Sequence, residues 1–548
     1  MAAIALTCMS FACVSCDDFL TLTPPNEIVL ENFWNSEEDV QQVVASCYST
    51  MASTDFVKRA LFWGEVRSED FIAGNSPGTE DTEILEGNIM PKHSITNWAI
   101  FYNVINLCNT VMYYGPGVVG KDPDFSQSKM DSYDAEVRTL RALCYFYLVR
   151  TFKNVPLILD PTISDDNDFM VPAASSDSIL NQIVVDLLHA EKYAKKEYSK
   201  ETYNKGRITI DAIHAILADV YMWKQDYTNC VKYCDLVITA KQEAAKANAK
   251  KGTNEDLSNT EFPLIGSDLK NSSDPYIAYN EIFGDGNSFE SIFELQFTPD
   301  VQTNSVVSDY YGNNGTNVGV FAASKVIGEN ATAASGNDVF KKTDVRTFEF
   351  INEASNVYRI TKYAASSINT NKTPRYRDTN YANWIFYRLT DIMLLKAEAL
   401  TQLAPQKVTQ DTTTTTVDNS EMLKEAFKLT TAVYYRSQTG LTKSDSLQYA
   451  DYASSKKMFD LVLLERHREL MFEGKRWFDL VRMALREGSN TNMLNLCTRK
   501  YSDNIKTVKS KMSTQNALFF PIYQDELKVN TLLEQNPAYI NQTTVTTN

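Results

Sequence analysis

The run from Glu465 to Arg482 reads Glu-Arg-His-Arg-Glu-Leu-Met-Phe-Glu-Gly-Lys-Arg-Trp-Phe-Asp-Leu-Val-Arg and interleaves ionisable with large apolar side chains. Phe472, Trp477, Phe478, Leu480 and Val481 require burial, and the charges they carry inward must be neutralised, because an unpaired buried charge costs several kcal/mol. Within one helix from Met458 to Arg486, Glu473, Arg476, Asp479 and Arg482 fall three residues apart. Neighbours of opposite sign pair at that spacing. The pattern predicts a helix packed inside the protein with its charges satisfied by one another, and not a solvated face or an active site.

The chain around it is long enough to make that burial possible. Its 548 residues exceed what one compact core holds, so at least two packed subregions are expected. Hydrophobic residues at 43% and aromatics at 11% describe a globular protein. Lys+Arg at 53 against Asp+Glu at 69 leaves a net charge of -16, which argues against a phosphate-backbone partner, so no nucleic acid is expected.

The chemistry-bearing motifs are few. His93, His189, His214 and His467 show no ligand spacing with a second His or Cys, so no metal or cofactor is expected. Of the motifs G-x-S-x-G and H-E-x-x-H only the first occurs, once, at Gly74-Asn75-Ser76-Pro77-Gly78. Gly115 to Lys121 satisfies G-x-x-x-x-G-K, but Pro116 removes an amide from a phosphate cradle and Asp122 replaces the magnesium-binding hydroxyl, so the segment reads as a loop between helices. Paired carboxylates that could hydrolyse a glycoside have no local signature, and the chain reads as a non-enzyme. Cys47, Cys108, Cys144, Cys230, Cys234 and Cys497 lie in apolar stretches and read as small buried hydrophobes.

Periodicity near 3.6 predicts helices over Trp98 to Tyr113, Tyr133 to Thr151, Ser178 to Tyr198, Thr209 to Lys224, Tyr227 to Ala240, Arg388 to Leu403 and Glu421 to Arg436. Ser36 before Glu37-Glu38-Asp39 predicts a capped helix start. Small residues such as Ala212, Ala215 and Ala218, followed after a short turn by a second apolar face, resemble tetratricopeptide hairpins. Between 245 and 385 Gly, Asn, Ser and Thr accumulate, and only Ser291 to Phe297 alternates like a strand. Residues 405 to 420 read as a low-complexity surface loop. The expected fold is therefore mainly α: a helical-repeat scaffold with a loop-rich insertion containing minor β structure.

The Arg466 to Arg482 segment resembles the R-x-x-E-L-x-x-E-G-x-R-W-F-D-L-x-R signature of the SusD/RagB family. Further blocks fall in the family's order: Ser15 to Leu20, Arg138 to Leu157, Gly206 to Thr209, Arg388 to Ala399, Phe520 to Ile522 and Gln535 to Tyr539. Residues 2 to 12 end at Cys13-Val14-Ser15-Cys16 and resemble a lipoprotein signal cleaved before Cys16, although Cys13 replaces the usual Leu and no Lys or Arg precedes the apolar run. The resemblance implies a signal at 1–15, a helical region at 16–244, a ligand-binding insertion at 245–385 and a helical region at 386–548. It also implies a nutrient-binding protein, lipid-anchored at Cys16 to the outer membrane, that delivers oligosaccharides, or in one branch peptides, to a SusC-like TonB-dependent transporter. A scaffold binding protein partners is the other class open to helical repeats. By analogy with the family's aromatic arc, the expected ligand residues are Trp98 and Asn103 in the N-terminal third, with Tyr310, Tyr311 and Phe321 in the insertion. Trp63 and Trp384 are added as Trp residues outside the structural blocks. Trp98 can equally pack inside its helix.

Overall fold

A computed structural model of the protein describes residues 33–163, 169–251, 257, 259–267, 275–313, 317–329, 337–354, 357–404, 407–410, 413–416, 420–439 and 446–542. Residues 1–15 and Cys16 lie outside the described residues. The helices used below are α1 (Glu37–Met51), α2 (Thr54–Leu61), α3 (Thr79–Leu85), α4 (Ala99–Val118), α5 (Gln127–Phe152), α6 (Ser176–Ala190), α7 (Glu201–Gly206), α8 (Ile210–Trp223), α9 (Tyr227–Lys251), α10 (Ser305–Tyr310), α11 (Leu389–Leu403), α12 (Ser420–Arg436), α13 (Ser455–Leu470) and α14 (Arg476–Glu487). None of the described helices is long and apolar enough to cross a membrane.

The scaffold is mainly helical, as the periodicity predicts. Ser36 and Asp39 form a capping box: Ser36 Oγ accepts from the Asp39 amide, and the Ser36 amide donates to Asp39 Oδ2 at 2.8 Å. The pairs α4/α5, α5/α6, α8/α9 and α11/α12 pack as neighbours, and α9 packs on α11 to join the two repeat regions. Ala212, Ala215 and Ala218 are fully buried on α8, where small side chains let the paired helix approach. The α9 helix runs across position 245. Gly115 to Val118 form the last turn of α4 with Pro116 inside it, so the Gly115 to Lys121 segment begins as helix and not as the expected loop.

The insertion holds more β structure than its alternation reveals. Its strand β3 (Phe321–Ala323) pairs antiparallel with β1 (Phe71–Ala73) of the N-terminal region, placing Phe71 opposite Ala323 and Ala73 opposite Phe321. Likewise β2 (Ser291–Leu295) pairs with β4 (Trp384–Arg388). Short hairpins join Ile351–Ala354 to Val357–Ile360 and Ala365–Ile368 to Pro374–Tyr376. Lys407–Gln410 and Thr413–Thr416 pair as a further hairpin, where the sequence predicts only a loop. Strands of two to four residues are too short to show a period of two.

The signature is two helices and not one. Between α13 and α14 the chain turns through Phe472 and Gly474, both at positive φ (68° and 72°). A Cβ on Gly64 would stand 1.8 Å from Gly474 O, so glycine is required for this turn to pass the 62–66 segment. Glu65 locks the crossing by accepting from the amides of Phe472, Gly474 and Lys475.

Candidate functional site

The expected ligand-stacking rings are built into the core. Trp63 and Phe321 are 0% exposed, Trp384 1%, Tyr311 2%, Trp98 3% and Tyr310 8%. Trp63 stacks on Phe101 at 4.6 Å and donates Nε1–H to Ile95 O. Trp98 packs edge-on against Phe152 and hydrogen-bonds Glu526. Trp384 stacks on Tyr363. These side chains therefore have no free face for a sugar, which corrects the stacking role expected of them. Asn103 alone of the set is exposed, on the face of α4 one turn beyond Ala99. In a single chain, an aromatic ring that stacks on ligand and one that fills a core leave the same letter.

The structure nevertheless brings the two expected regions together. Phe62, just after α2, meets Tyr310 at 5.1 Å and Phe321 at 5.3 Å. Phe71 continues the cluster to Tyr311 and to Phe472 of the signature turn. Tyr311 donates its hydroxyl to Phe472 O at 2.7 Å, so the family signature holds the insertion from beneath. On the other side of the 62–66 segment, Trp63 joins Phe56, Phe101 and Phe152. One aromatic floor thus underlies α2, α4 and α10.

Above that floor lies a polar rim that no sequence spacing marks. Lys58 Nζ sits 5.2 Å from the Phe62 ring centre and 5.4 Å from that of Tyr310. Burial pushes the Asp81 carboxyl of α3 and the Asp309 carboxyl of α10 up, with Lys58 opposing both shifts. Burial, with Asp81 and Asp309 nearby, likewise raises the Tyr310 hydroxyl. Arg59 ties α2 to the 94–97 turn by donating to Ser94 O and Asn97 O, and it also pairs with Asp55. Glu80 accepts from the Ser94 hydroxyl and the Ile95 amide. The Thr54 and Ser305 hydroxyls share a 2.6 Å hydrogen bond, latching the insertion to the start of α2. Lys58, Asp81 and Asp309 are side chains suited to hydrogen-bonding hydroxyls, grouped beside the Phe62 and Tyr310 rings.

The signature charges form a separate, closed network. Glu469 accepts from Arg388 and Arg346 at 2.6 and 3.0 Å and also from Arg436; Glu473 accepts from Lys362 and Arg388, each at 2.6 Å. Burial alone would raise Glu469, but Arg436, Arg388 and Arg346 overcome it and hold the carboxyl far below the usual range. Of the four residues expected to neutralise one another, only Asp479 and Arg482 do so, at 2.8 Å. Arg476 reaches Glu69, Arg482 also takes Glu398, and Asp479 also takes Arg466. The i,i+3 expectation holds only for Asp479 and Arg482: Glu473 lies in the turn, off the helix, and Arg476 is taken by Glu69.

A donor set that sequence spacing could not reveal sits beside this network. Glu69, Asp70 and His467 place their ligand atoms within 4.8 Å of one another, although 397 residues separate Asp70 from His467. His467 Nε2 stands 2.5 Å from Asp70 Oδ1, its Nδ1 faces Glu69 at 3.8 Å, and Arg476 also claims Glu69. Both imidazole nitrogens thus face carboxylates, Nε2 that of Asp70 and Nδ1 that of Glu69.

With this geometry in view, the comparisons with known proteins agree along almost the whole chain. Residues 279–539 match the family described as the SusD family, and residues 18–222 match one described as starch-binding and associating with the outer membrane. A SusD-like protein of Formosa agariphila is 26% identical over 541 residues, spanning 96% of each chain. A SusD-like protein of Bacteroides ovatus is 29% identical over 230 residues, 41% of this chain and 39% of that one. A solved SusD superfamily protein of Bacteroides vulgatus shares the fold at a TM-score of 0.68 and 18% identity, over 92% of this chain and 100% of that one. A solved SusD-like protein described as laminarin-binding gives a TM-score of 0.63 at 20% identity, over 92% and 100%. The chain belongs to the SusD-like family.

Proposed function

We propose that this protein is a nonenzymatic receptor that captures oligosaccharide at the outer membrane surface, tethered through lipid on Cys16, and passes it to a SusC-like TonB-dependent transporter. The observation that carries the reading is the match of residues 18–222 to a starch-binding, outer-membrane-associating family, because that span supplies α2 and α3 of the polar rim. The laminarin-binding description of one solved relative supports a glycan over a peptide. Binding without turnover is supported by the signature carboxylates Glu469 and Glu473, which are buried and committed to Arg388 and Lys362. In this reading Lys58, Asp81, Asn103 and Asp309 hydrogen-bond sugar hydroxyls, and Trp63, Trp98, Tyr310, Tyr311, Phe321 and Trp384 hold the surface from below.

Electrophoresis through native gels containing laminarin or starch tests it. The wild type is expected to be retarded, with Asn103→Ala and Lys58→Ala running closer to their position in plain gels. Equal migration of wild type in plain and polysaccharide gels would contradict the reading. Copurification of the full chain with a TonB-dependent transporter encoded beside it tests the delivery step.

A further inference from the structure

A groove of about 560 Å³ opens on another part of the scaffold, between α1, α5, α7 and the residue following β2. Its volume lies within the roughly 300 to 1,000 Å³ of small-molecule sites. Three tyrosines line it: Tyr48, Tyr133 and Tyr203. The first two have their hydroxyls committed to protein, Tyr48 donating to Glu136 and accepting from the Ile208 amide, and Tyr133 donating to Glu37. Tyr133 is buried at 6% exposure and backs the wall, so the carbon surface on offer is that of half-buried Tyr48. Tyr203 is 42% exposed on the opposite wall.

The groove is also electrically closed. Arg207, the one arginine lining it, is paired with the buried Glu136 through Nε and Nη2. The lip, by contrast, keeps free polar groups: the side chains of Glu38 and Gln42 make no hydrogen bond among the described residues, and exposed Ala45 beside them leaves room. Aromatic faces below and unpartnered amide and carboxylate groups above suit a ring that is apolar on its faces and hydroxylated at its edge. Lys200 Nζ stands 5.2 Å over the Tyr203 ring, but Arg207 is committed to Glu136 and the Glu38 carboxylate at the lip disfavours an anionic ligand, on a chain of net charge -16.

We infer that this groove is a second ligand site, separate from the polar rim, and that it takes a short neutral oligosaccharide. The class of ligand rests on the glycan reading above; the location rests on the groove itself. Titration calorimetry of the full chain with neutral laminarin and starch oligosaccharides tests both. Two binding components are expected in the wild type. Tyr203→Ala and Gln42→Ala, both at exposed positions, are each expected to weaken one component about tenfold, as loss of an aromatic or hydrogen-bonding contact worth ~1.4 kcal/mol would do. The component weakened by Asn103→Ala is expected to be the other one. A single component that ignores both groove variants and responds to Asn103→Ala would overturn the groove site while leaving the receptor reading intact. Absence of binding by every neutral oligosaccharide would overturn both, and groove-dependent binding of an acidic glycan or a peptide would overturn the ligand class.

Discussion

Arg388 shows how much of this protein's stability is decided by single buried charges. Its guanidinium reaches Glu469 and Glu473 together, with all three side chains essentially sealed from water. Arg388→Met leaves both acids short of a cation, and a loss of about 3 to 5 kcal/mol is expected in urea denaturation. Glu349 supplies the pH-dependent counterpart. It lines a small cavity of about 20 Å³ with Arg346, Arg436 and Glu469. Burial, reinforced by Glu469 and opposed by Arg436 and Arg346, pushes its carboxyl up to about 8 from 4.5. The folded protein therefore holds a proton that the unfolded chain has released between pH 4.5 and 8. Stability from this group is complete below pH 4.5 and is lost as the pH rises through 8, with a limiting slope of about 1.4 kcal/mol per pH unit. Thermal denaturation of Glu349→Gln and wild type across that range should show the wild type losing ground to the variant as the pH rises.

Among the elements, the long amphipathic helices were legible because their apolar faces repeat over many turns, and Ser36 with Asp39 marked a start that the capping box realises. The break between α13 and α14 was less visible: Gly474 marks it, but Phe472 at positive φ is not a residue a sequence reader expects there. The same limit hid the β1 to β3 pairing, whose partners are three residues long and lie far apart in the chain. The candidate site was half legible. The N-terminal third and the insertion do meet, yet Tyr310, Tyr311 and Phe321 serve as the joint between them and leave the outward role to Lys58, Asp81 and Asp309. Tyr311→Phe tests that joint, since it deletes only the hydroxyl donated to Phe472 O. A loss of about 1 to 2 kcal/mol is expected, with faster hydrogen exchange in α10 and β3. Unchanged exchange there would separate the signature turn from the insertion.

As a whole molecule, the protein couples its two matched regions through buried ion pairs, with Arg476 of the C-terminal region on Glu69 of the N-terminal one. Burial would raise Glu69, but Arg476 and His467 prevail and lower it from 4.5 to about 2. A depressed carboxyl contributes stability above pH 4.5 that disappears as the pH falls toward 2. The melting temperature is therefore expected to drop across that interval, and Glu69→Gln should flatten the drop. The same interior commits the signature acids to Arg and Lys, and the proposed ligand contacts lie on the surface the frame supports. Calorimetric titration of the full chain against parallel panels of neutral oligosaccharides and peptides tests that account most directly. The account predicts heat that saturates with at least one oligosaccharide. Saturation by peptides alone, or heat that continues steadily as a glycan is turned over, would contradict it.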